Sequence, residues 1–143
     1  MFFRRTTSYA FRALLHMSTF SSGEVQTSGE VAKSIHLPKE YISKILQLLA
    51  KYQIVGSKKG RGGGFFLIKN VNQIRLIDVV VAVEDNFDMD ICVFGMSKCN
   101  SSCDCPVHES YGKLKEDFRS MLINYNIGQL SEIKNDYFPF MPS

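Results

Sequence analysis

Four cysteines lie within one short segment of the chain, at positions 92, 99, 103 and 105, and the sequence has no others. Disulfides are rare in cytosolic proteins, where clustered thiols more often bind a metal or respond to redox state. Thiolates hold zinc and iron–sulfur clusters, and His108 adds an imidazole three residues after Cys105. Residue types and spacing alone leave three sites open: an iron–sulfur cluster, a zinc site and a redox disulfide.

A second stretch whose residue types indicate a binding function is KKGRGGGF at 58–65, which has four glycines and three cations. A phosphate-binding P-loop would need a Lys-Ser/Thr pair after the glycines and a helix behind it. Here FFLIK follows at 65–69, a run that favours a strand, and IVGS precedes it at 54–57. The pattern predicts a β-hairpin whose basic tip contacts a nucleic-acid backbone.

Helical patterns precede this hairpin. Apolar residues recur at helical spacing over 5–20 and again over 38–52, where the stripe is Ile42, Ile45, Leu46 and Leu49. Between them, Thr27 stands three residues before Glu30, the signature of a capping box that begins a short helix. A short helix, a tight turn at 36–37 and a longer helix with a polar outer face make a helix-turn-helix. With the hairpin, they predict a winged helix.

Behind the hairpin, residues 74–85 favour a helix over a buried strand, and residues 86–106 are predicted to be irregular. From about 106 an apolar residue recurs every three or four positions over some five turns, which predicts a long helix. Its apolar stripe needs a partner, either its own domain or a second copy, and we favour the second copy. We therefore predict four parts: a DNA-binding domain (1–85), a cysteine-rich loop (86–106), a dimerisation helix with a C-terminal segment (107–134) and a tail (135–143).

Charge is unevenly distributed along the 143 residues. Residues 1–70 hold eleven Lys or Arg and three Asp or Glu, whereas residues 71–143 hold six and eleven. This asymmetry predicts that residues 1–70 bind a polyanion. We expect no signal peptide, since no apolar run ended by a cleavage site follows the N-terminal arginines. No apolar run reaches the roughly 20 residues that a membrane span needs, and we see no supported catalytic motif. We expect a cytoplasmic protein that is not an enzyme.

The order of elements resembles the Rrf-two family of bacterial transcription regulators, in particular its IscR-type and NsrR-type members. The likeness rests on YAFRAL at 9–14, GRGGGF at 60–65, IRLIDVVVAVE at 74–84 and CPVH at 105–108. It implies a mainly α fold with a small β-hairpin, a homodimer that binds a palindromic operator in double-stranded DNA, and a regulator, typically a repressor. It also implies a cysteine-held iron–sulfur cluster, with two or four irons, that tunes DNA affinity.

Specific residues follow from the helix-turn-helix interpretation and from the resemblance. The second helix of the pair enters the major groove in such domains, and the wing follows the DNA backbone or minor groove. The predicted DNA contacts are Lys39, Glu40, Tyr41, Ser43, Lys44, Lys58, Lys59, Gly60 and Arg61. The predicted cluster ligands are Cys92, Cys99, Cys105 and His108, with Cys103 as an alternative to Cys105.

Several alternatives stay open at this point. The same DNA-binding module can carry a zinc site or a thiol switch, although gaps of six, three and one residues between the cysteines fit zinc knuckles poorly. Some members of the family lack a cluster and regulate cysteine metabolism. A cluster carrier that binds no DNA is a further alternative from another class of protein.

Overall fold

Three helices at the front of the chain pack around one apolar centre. The computed structural model describes residues 3–21, 23–92, 94–95 and 104–133. Helix α1 spans Arg5–Met17, α2 spans Ser28–Ser34 and α3 spans Lys39–Lys51. Their apolar stripes face inward, as the spacing predicts. The buried residues from these three helices include Ala10, Ala13, Leu14, Val31, Ala32, Ile42, Ile45, Leu46 and Leu49.

The predicted capping box at the start of α2 is present. The Thr27 side chain accepts a hydrogen bond from the backbone N–H of Glu30 at 3.1 Å, and the Glu30 carboxylate accepts one from the backbone N–H of Thr27 at 3.2 Å. Two of the backbone donors that every helix start leaves unpaired are thereby satisfied. This fixes where α2 begins and therefore where the helix-turn-helix begins.

The predicted hairpin follows α3. Strand β1 spans Val55–Lys58 and pairs antiparallel with β2, which spans Gly64–Leu67. Gly60 in the tip has φ +85°, a conformation that L side chains rarely adopt. The glycines thus serve a tight turn between two strands, which confirms the hairpin and excludes a strand-to-helix phosphate loop at this position.

The remaining elements complete the core from the other side. A short 3-10 helix spans Val71–Gln73, α4 spans Leu76–Val83, α5 spans His108–Asn124 and α6 spans Ile127–Ser131. Residues 74–85 are therefore helical over most of their length, as predicted. The long helix ends at Asn124, and the chain folds back: the Leu76 N–H donates to the Tyr125 carbonyl at 3.0 Å and the Ile127 N–H to the Ile74 carbonyl at 2.9 Å.

These helices and the hairpin confirm the predicted fold class, a mainly helical winged helix-turn-helix with one small hairpin. In the part of the chain that the structure describes, no helix combines the length and apolar character that crossing a bilayer requires. The predicted tail, 135–143, lies outside the described residues.

Candidate nucleic-acid interface and cysteine segment

The N-terminal half of α3 presents a polar, exposed surface opposite its buried stripe. Lys39, Glu40 and Lys44 are exposed, and Tyr41 is 58% exposed. The Tyr41 ring meets the edge of Tyr9 on α1, with 6.4 Å between ring centroids. Charged groups at the start of a recognition helix are those that reach base edges and phosphates in helix-turn-helix proteins. The structure thus leaves these four predicted contacts accessible.

Ser43 differs from its neighbours on α3 because it already has a partner within the protein. Its hydroxyl is half-buried and donates to the Ser28 hydroxyl on α2 at 2.8 Å. This bond ties the two helices of the helix-turn-helix together. Its remaining lone pairs can still accept a hydrogen bond, for example from a base amino group.

The tip of the hairpin adds a second exposed basic surface. Lys58, Lys59, Gly60 and Arg61 are all exposed. In the described residues, ion pairs within 4 Å involve the arginines at 4, 75 and 119. None of the five cations predicted to contact DNA pairs with an acidic side chain there. Their charge is therefore available to an external polyanion.

A backbone bridge holds the hairpin against the helix-turn-helix. The Gln26 N–H donates to the Phe65 carbonyl at 2.8 Å, and the Phe65 N–H donates to the Gln26 carbonyl at 2.7 Å. A Cβ on Gly64 would lie 2.3 Å from the Gln26 oxygen, so only glycine permits this approach. Because Gln26 directly precedes the cap of α2, the bridge fixes the wing relative to the reading helices. The sequence did not predict it, since a bridge of one residue leaves no periodic pattern.

The cysteine-rich loop predicted at 86–106, called the cysteine segment from here on, is described at its two ends. Cys92 and Cys105 are half-buried free thiols. The Phe94 N–H donates to the Cys92 sulfur at 3.4 Å, and the His108 N–H donates to the Cys105 carbonyl at 3.1 Å where α5 begins. Cys99 and Cys103 lie outside the described residues. Within the described ranges no three metal-binding side chains converge, so the ligand set stays a prediction.

Ion pairs connect the start of this segment, and the end of α4 just before it, to α5 and to the residue before α1. The Glu84 carboxylate, at the end of α4, accepts hydrogen bonds from the Arg4 side chain at 3.0 Å, the Arg4 backbone N–H at 2.8 Å and the Thr7 hydroxyl. Burial by itself raises the pKa of Glu84, but these bonds and the Arg4 charge lower it below its usual value. Further along, Arg119 on α5 pairs with Asp90 at 3.7 Å.

The sequence alone did not predict either ion pair. Arg4 and Glu84 are far apart in the chain, and each looks like an ordinary surface charge when taken alone. The one available signal is that Glu84 directly ends the apolar run of α4 and precedes the acidic stretch of the cysteine segment.

Known transcription regulators are similar to this chain over most of its length. Residues 3–133 match the model of the Rrf2 family, described as an iron-dependent transcriptional regulator. A protein of Aquifex aeolicus described as a putative HTH-type transcriptional regulator is 29% identical over 97% of this chain and 98% of its own. The HTH-type transcriptional regulator IscR of Cronobacter sakazakii is 26% identical over 85% of this chain and 75% of its own.

A solved structure shares the fold. CymR, the global cysteine regulator of B. subtilis, superposes with a TM-score of 0.75 at 14% identity, covering 92% of this chain and 97% of that one. At that identity the likeness concerns the fold alone.

Proposed function

The chain belongs to the Rrf2 family of transcription regulators, and from this premise we propose that it binds a palindromic operator as a homodimer and that residues 92–108 report iron–sulfur, nitric-oxide or redox status to the DNA-binding surface. Proteins of this family bind DNA. The observation that carries the proposal is the pair of exposed basic surfaces, on α3 and on the wing, whose cations lack acidic partners among the described residues.

For DNA binding, α3 lies in the major groove and the wing lies along the backbone beside it. Glu40 accepts from a cytosine amino group, and Ser43 accepts from a base while it holds α2. Lys39 and Lys44 bind phosphates, with Tyr41 between them. At the wing, Lys59 and Arg61 enter a narrow minor groove, where the negative potential is strongest, and Lys58 and the Gly60 backbone contact the sugar-phosphate chain.

For dimerisation, α5 offers an apolar surface that its own domain leaves uncovered. Val107, Leu114 and Met121 recur every seven residues, and all three are exposed, Leu114 by 52%. A repeat of seven is the seam along which two helices pair. The neighbouring side of α5 packs against its own domain through Phe118 and Leu122. Phe118 lies one helical turn from Leu114 and from Met121. Two copies joined along the exposed seam would place two wings and two α3 helices on successive half-sites.

For sensing, the donor set of the cysteine segment suits an iron–sulfur cluster. Cys92, Cys99 and Cys105 would hold it, with His108 as the fourth ligand and Cys103 as the alternative to Cys105. Cys92 and Cys105 are free thiols, and the α5 N-terminus directly after Cys105 favours a negatively charged group there. When bound, such a cluster supplies a group whose charge and ligation change with oxidants and nitric oxide.

The protein's own residues carry that change to the DNA-binding surface. Asp90, at the start of the cysteine segment, pairs with Arg119 on α5. Glu84, which precedes the segment, pairs with Arg4, the residue before α1. A rearrangement between 92 and 108 therefore acts on α5, which carries the dimer seam, and on α1, which packs against α3. A coupling of about 1–3 kcal/mol through these contacts changes operator affinity roughly 5- to 150-fold.

A second candidate keeps the DNA-binding module and makes the segment a zinc site or a thiol switch, as in a cluster-free regulator of cysteine metabolism. The free thiols of Cys92 and Cys105 suit this candidate as well as the cluster, and its specific support is the fold shared with CymR, a global cysteine regulator. Purification without oxygen, followed by a visible spectrum and by iron, sulfide and zinc analysis, separates the two. Iron, sulfide and charge-transfer absorption support the cluster, and zinc or no metal supports the alternative.

Selection of duplexes from a randomised pool tests the DNA-binding proposal on the same samples. A palindromic motif enriched in one metal state and less so in the other supports the proposal. Absence of an enriched motif in every metal and redox state contradicts it and favours a carrier that binds no DNA.

A further inference from the structure

A cavity of about 210 Å³ lies where α1, the end of α2 and α6 meet. Its wall combines an arginine and a histidine with several apolar side chains; Arg12, His16, Leu15, Ile35, Leu130 and Ser131 are among the residues that line it. Compounds that proteins bind in pockets of about 300 to 1,000 Å³ are drug-sized, so this cavity suits a smaller molecule.

Arg12 is the unusual residue of this cavity, because it is a buried cation without an anion in the described part of the chain. The residue is 8% exposed, and one guanidinium nitrogen donates to the Ile35 carbonyl at 2.7 Å. The guanidinium carbon lies 5.8 Å from the centre of the Tyr9 ring. Its Nε is buried without a hydrogen-bond partner, and no ion pair to Arg12 occurs among the described residues. A buried charge left this way is costly unless another group neutralises it.

His16 lies one turn further along α1 on the same cavity wall. Its Nε2 is also buried without a hydrogen-bond partner in the described part of the chain. Burial lowers the pKa of Arg12 and that of His16, in each case partly offset by a neighbour, Tyr9 and Gln26 respectively. In both residues burial disfavours the charged form, and a bound anion would offset this cost at Arg12.

The hydroxyls of the wall already donate to backbone carbonyls: those of Ser18 and Thr19 bond the Leu15 and His16 carbonyls. The Ser131 hydroxyl donates to the Gly128 carbonyl at 2.6 Å, and the Ser34 hydroxyl donates to the Glu30 carbonyl at 2.9 Å. One guanidinium and one imidazole suit a single carboxylate, which an arginine binds through two parallel hydrogen bonds. A phosphate would need more donors. The apolar side chains of Leu15, Ile35 and Leu130 suit a short hydrocarbon body.

We propose that this cavity binds a small organic carboxylate, with its carboxylate on Arg12 and its hydrocarbon part against Leu15, Ile35 and Leu130. The site joins α6 to the end of α2, so occupancy would stiffen the contact between the C-terminal segment and the helix-turn-helix. The inference stands apart from the proposed function, because its test needs no DNA and no metal.

The test is a titration of the full-length chain with sodium butyrate, followed by NMR amide shifts or calorimetry, with sodium phosphate at equal ionic strength as the comparison. Saturable binding at millimolar butyrate, with shifts confined to α1, α2 and α6, is the expected result. Arg12→Gln keeps a polar side chain at this position but removes the charge, and we expect it to weaken binding by about tenfold or more. Lys51→Gln, which removes an exposed cation on α3, leaves binding unchanged.

Ser131→Phe provides an independent check, since it fills the cavity at an exposed position and keeps Arg12. It should abolish binding even if Arg12→Gln fails to fold, as judged by circular dichroism. Absence of saturable butyrate binding to the unmodified chain would overturn the proposal. So would equal affinity for phosphate, or binding that survives in folded Ser131→Phe.

Discussion

Arg4 and Glu84 lie eighty positions apart in the chain, yet the Nε of Arg4 donates to the Glu84 carboxylate at 3.0 Å. The Arg4 guanidinium also reaches the Val83 carbonyl at 3.0 Å and the Asp85 carboxylate at 3.3 Å. One arginine therefore holds the start of α1 against the last turn of α4, directly before the cysteine segment. The Arg4 side chain therefore has its partners within the protein, although Arg4 lies in the basic front half of the chain.

Removing the Glu84 carboxylate should destabilise the fold at neutral pH. Glu84→Gln leaves the donors of Thr7 and Arg4 with a weaker acceptor, and we expect a decrease of about 1–3 kcal/mol in the free energy of unfolding. Because the pKa of Glu84 is lower in the folded protein than its usual 4.5, this contribution is present above that value and disappears as pH falls through the folded pKa.

Urea denaturation at neutral pH and well below pH 4.5 measures this effect. The difference between wild type and Glu84→Gln should shrink in acid. Asp85→Asn is the matched control: its side chain is 80% exposed, so it should change stability by less than about 0.5 kcal/mol at either pH. A Glu84→Gln difference that stays constant across the pH range would contradict the role assigned to the carboxylate.

Glu40 should determine base preference and contribute little to overall affinity. Since a carboxylate facing a base edge accepts from cytosine, Glu40→Ala should relax the preference at one position in each half-site, by about 1–3 kcal/mol of discrimination. Sequencing of duplexes selected from a randomised pool measures this. Glu24→Ala removes an exposed acid outside α3 and should leave the motif intact. An unchanged motif with Glu40→Ala would show that α3 does not read bases there.

A charge on the exposed seam of α5 should separate the two copies. Leu114→Glu places a carboxylate in the centre of the proposed helix pair, where it loses hydration without gaining a partner. Size-exclusion chromatography with light scattering measures this: we expect the wild type to be a dimer and Leu114→Glu to be a monomer at the same concentration. Glu116→Lys reverses a charge elsewhere on the exposed part of the same helix and should stay dimeric. A Leu114→Glu dimer would place the interface on another surface.

The predicted ligands differ in what their removal should do to bound iron. Cys92→Ser, Cys99→Ser and Cys105→Ser should each abolish the charge-transfer absorption of anaerobically purified protein, because thiolates hold such clusters. Cys103→Ser is the matched control and should retain iron and sulfide. If iron is instead absent from Cys103→Ser and present in Cys105→Ser, the third thiolate ligand is Cys103 and not Cys105.

The elements of the fold were predictable because each has a local cause. The stripe of Ile42, Ile45, Leu46 and Leu49 specifies one buried face of α3, and Thr27 with Glu30 specifies where α2 begins. The glycines of the wing mark its turn. Membership in the Rrf2 family confirms the resemblance that rests on YAFRAL at 9–14, GRGGGF at 60–65, IRLIDVVVAVE at 74–84 and CPVH at 105–108. It also confirms that the chain is a regulator and not an enzyme.

The contacts between distant segments were not predictable in the same way. The bridge from Gln26 to Phe65 and the clamp from Arg4 to Glu84 depend on how the helices pack, and neither leaves a periodic signal. The apolar pattern of α5 predicted one stripe, but Phe118 and Leu122 pack against the chain's own core while Leu114 and Met121 stay exposed. A sequence records that a residue is apolar and not which of two surfaces it covers.

Salt-dependent binding to operator DNA, measured for the wild type and for Lys59→Ala with Arg61→Ala, tests most directly whether the basic wing binds a duplex. Removing one phosphate-binding cation makes the slope of log affinity against log salt shallower by about 0.9. The double variant should therefore bind more weakly, with a shallower slope, whereas Lys113→Ala, which removes an exposed cation on α5, should match the wild type. Equal affinity and equal slope for the wing variant and the wild type would contradict the proposal that the wing contacts DNA.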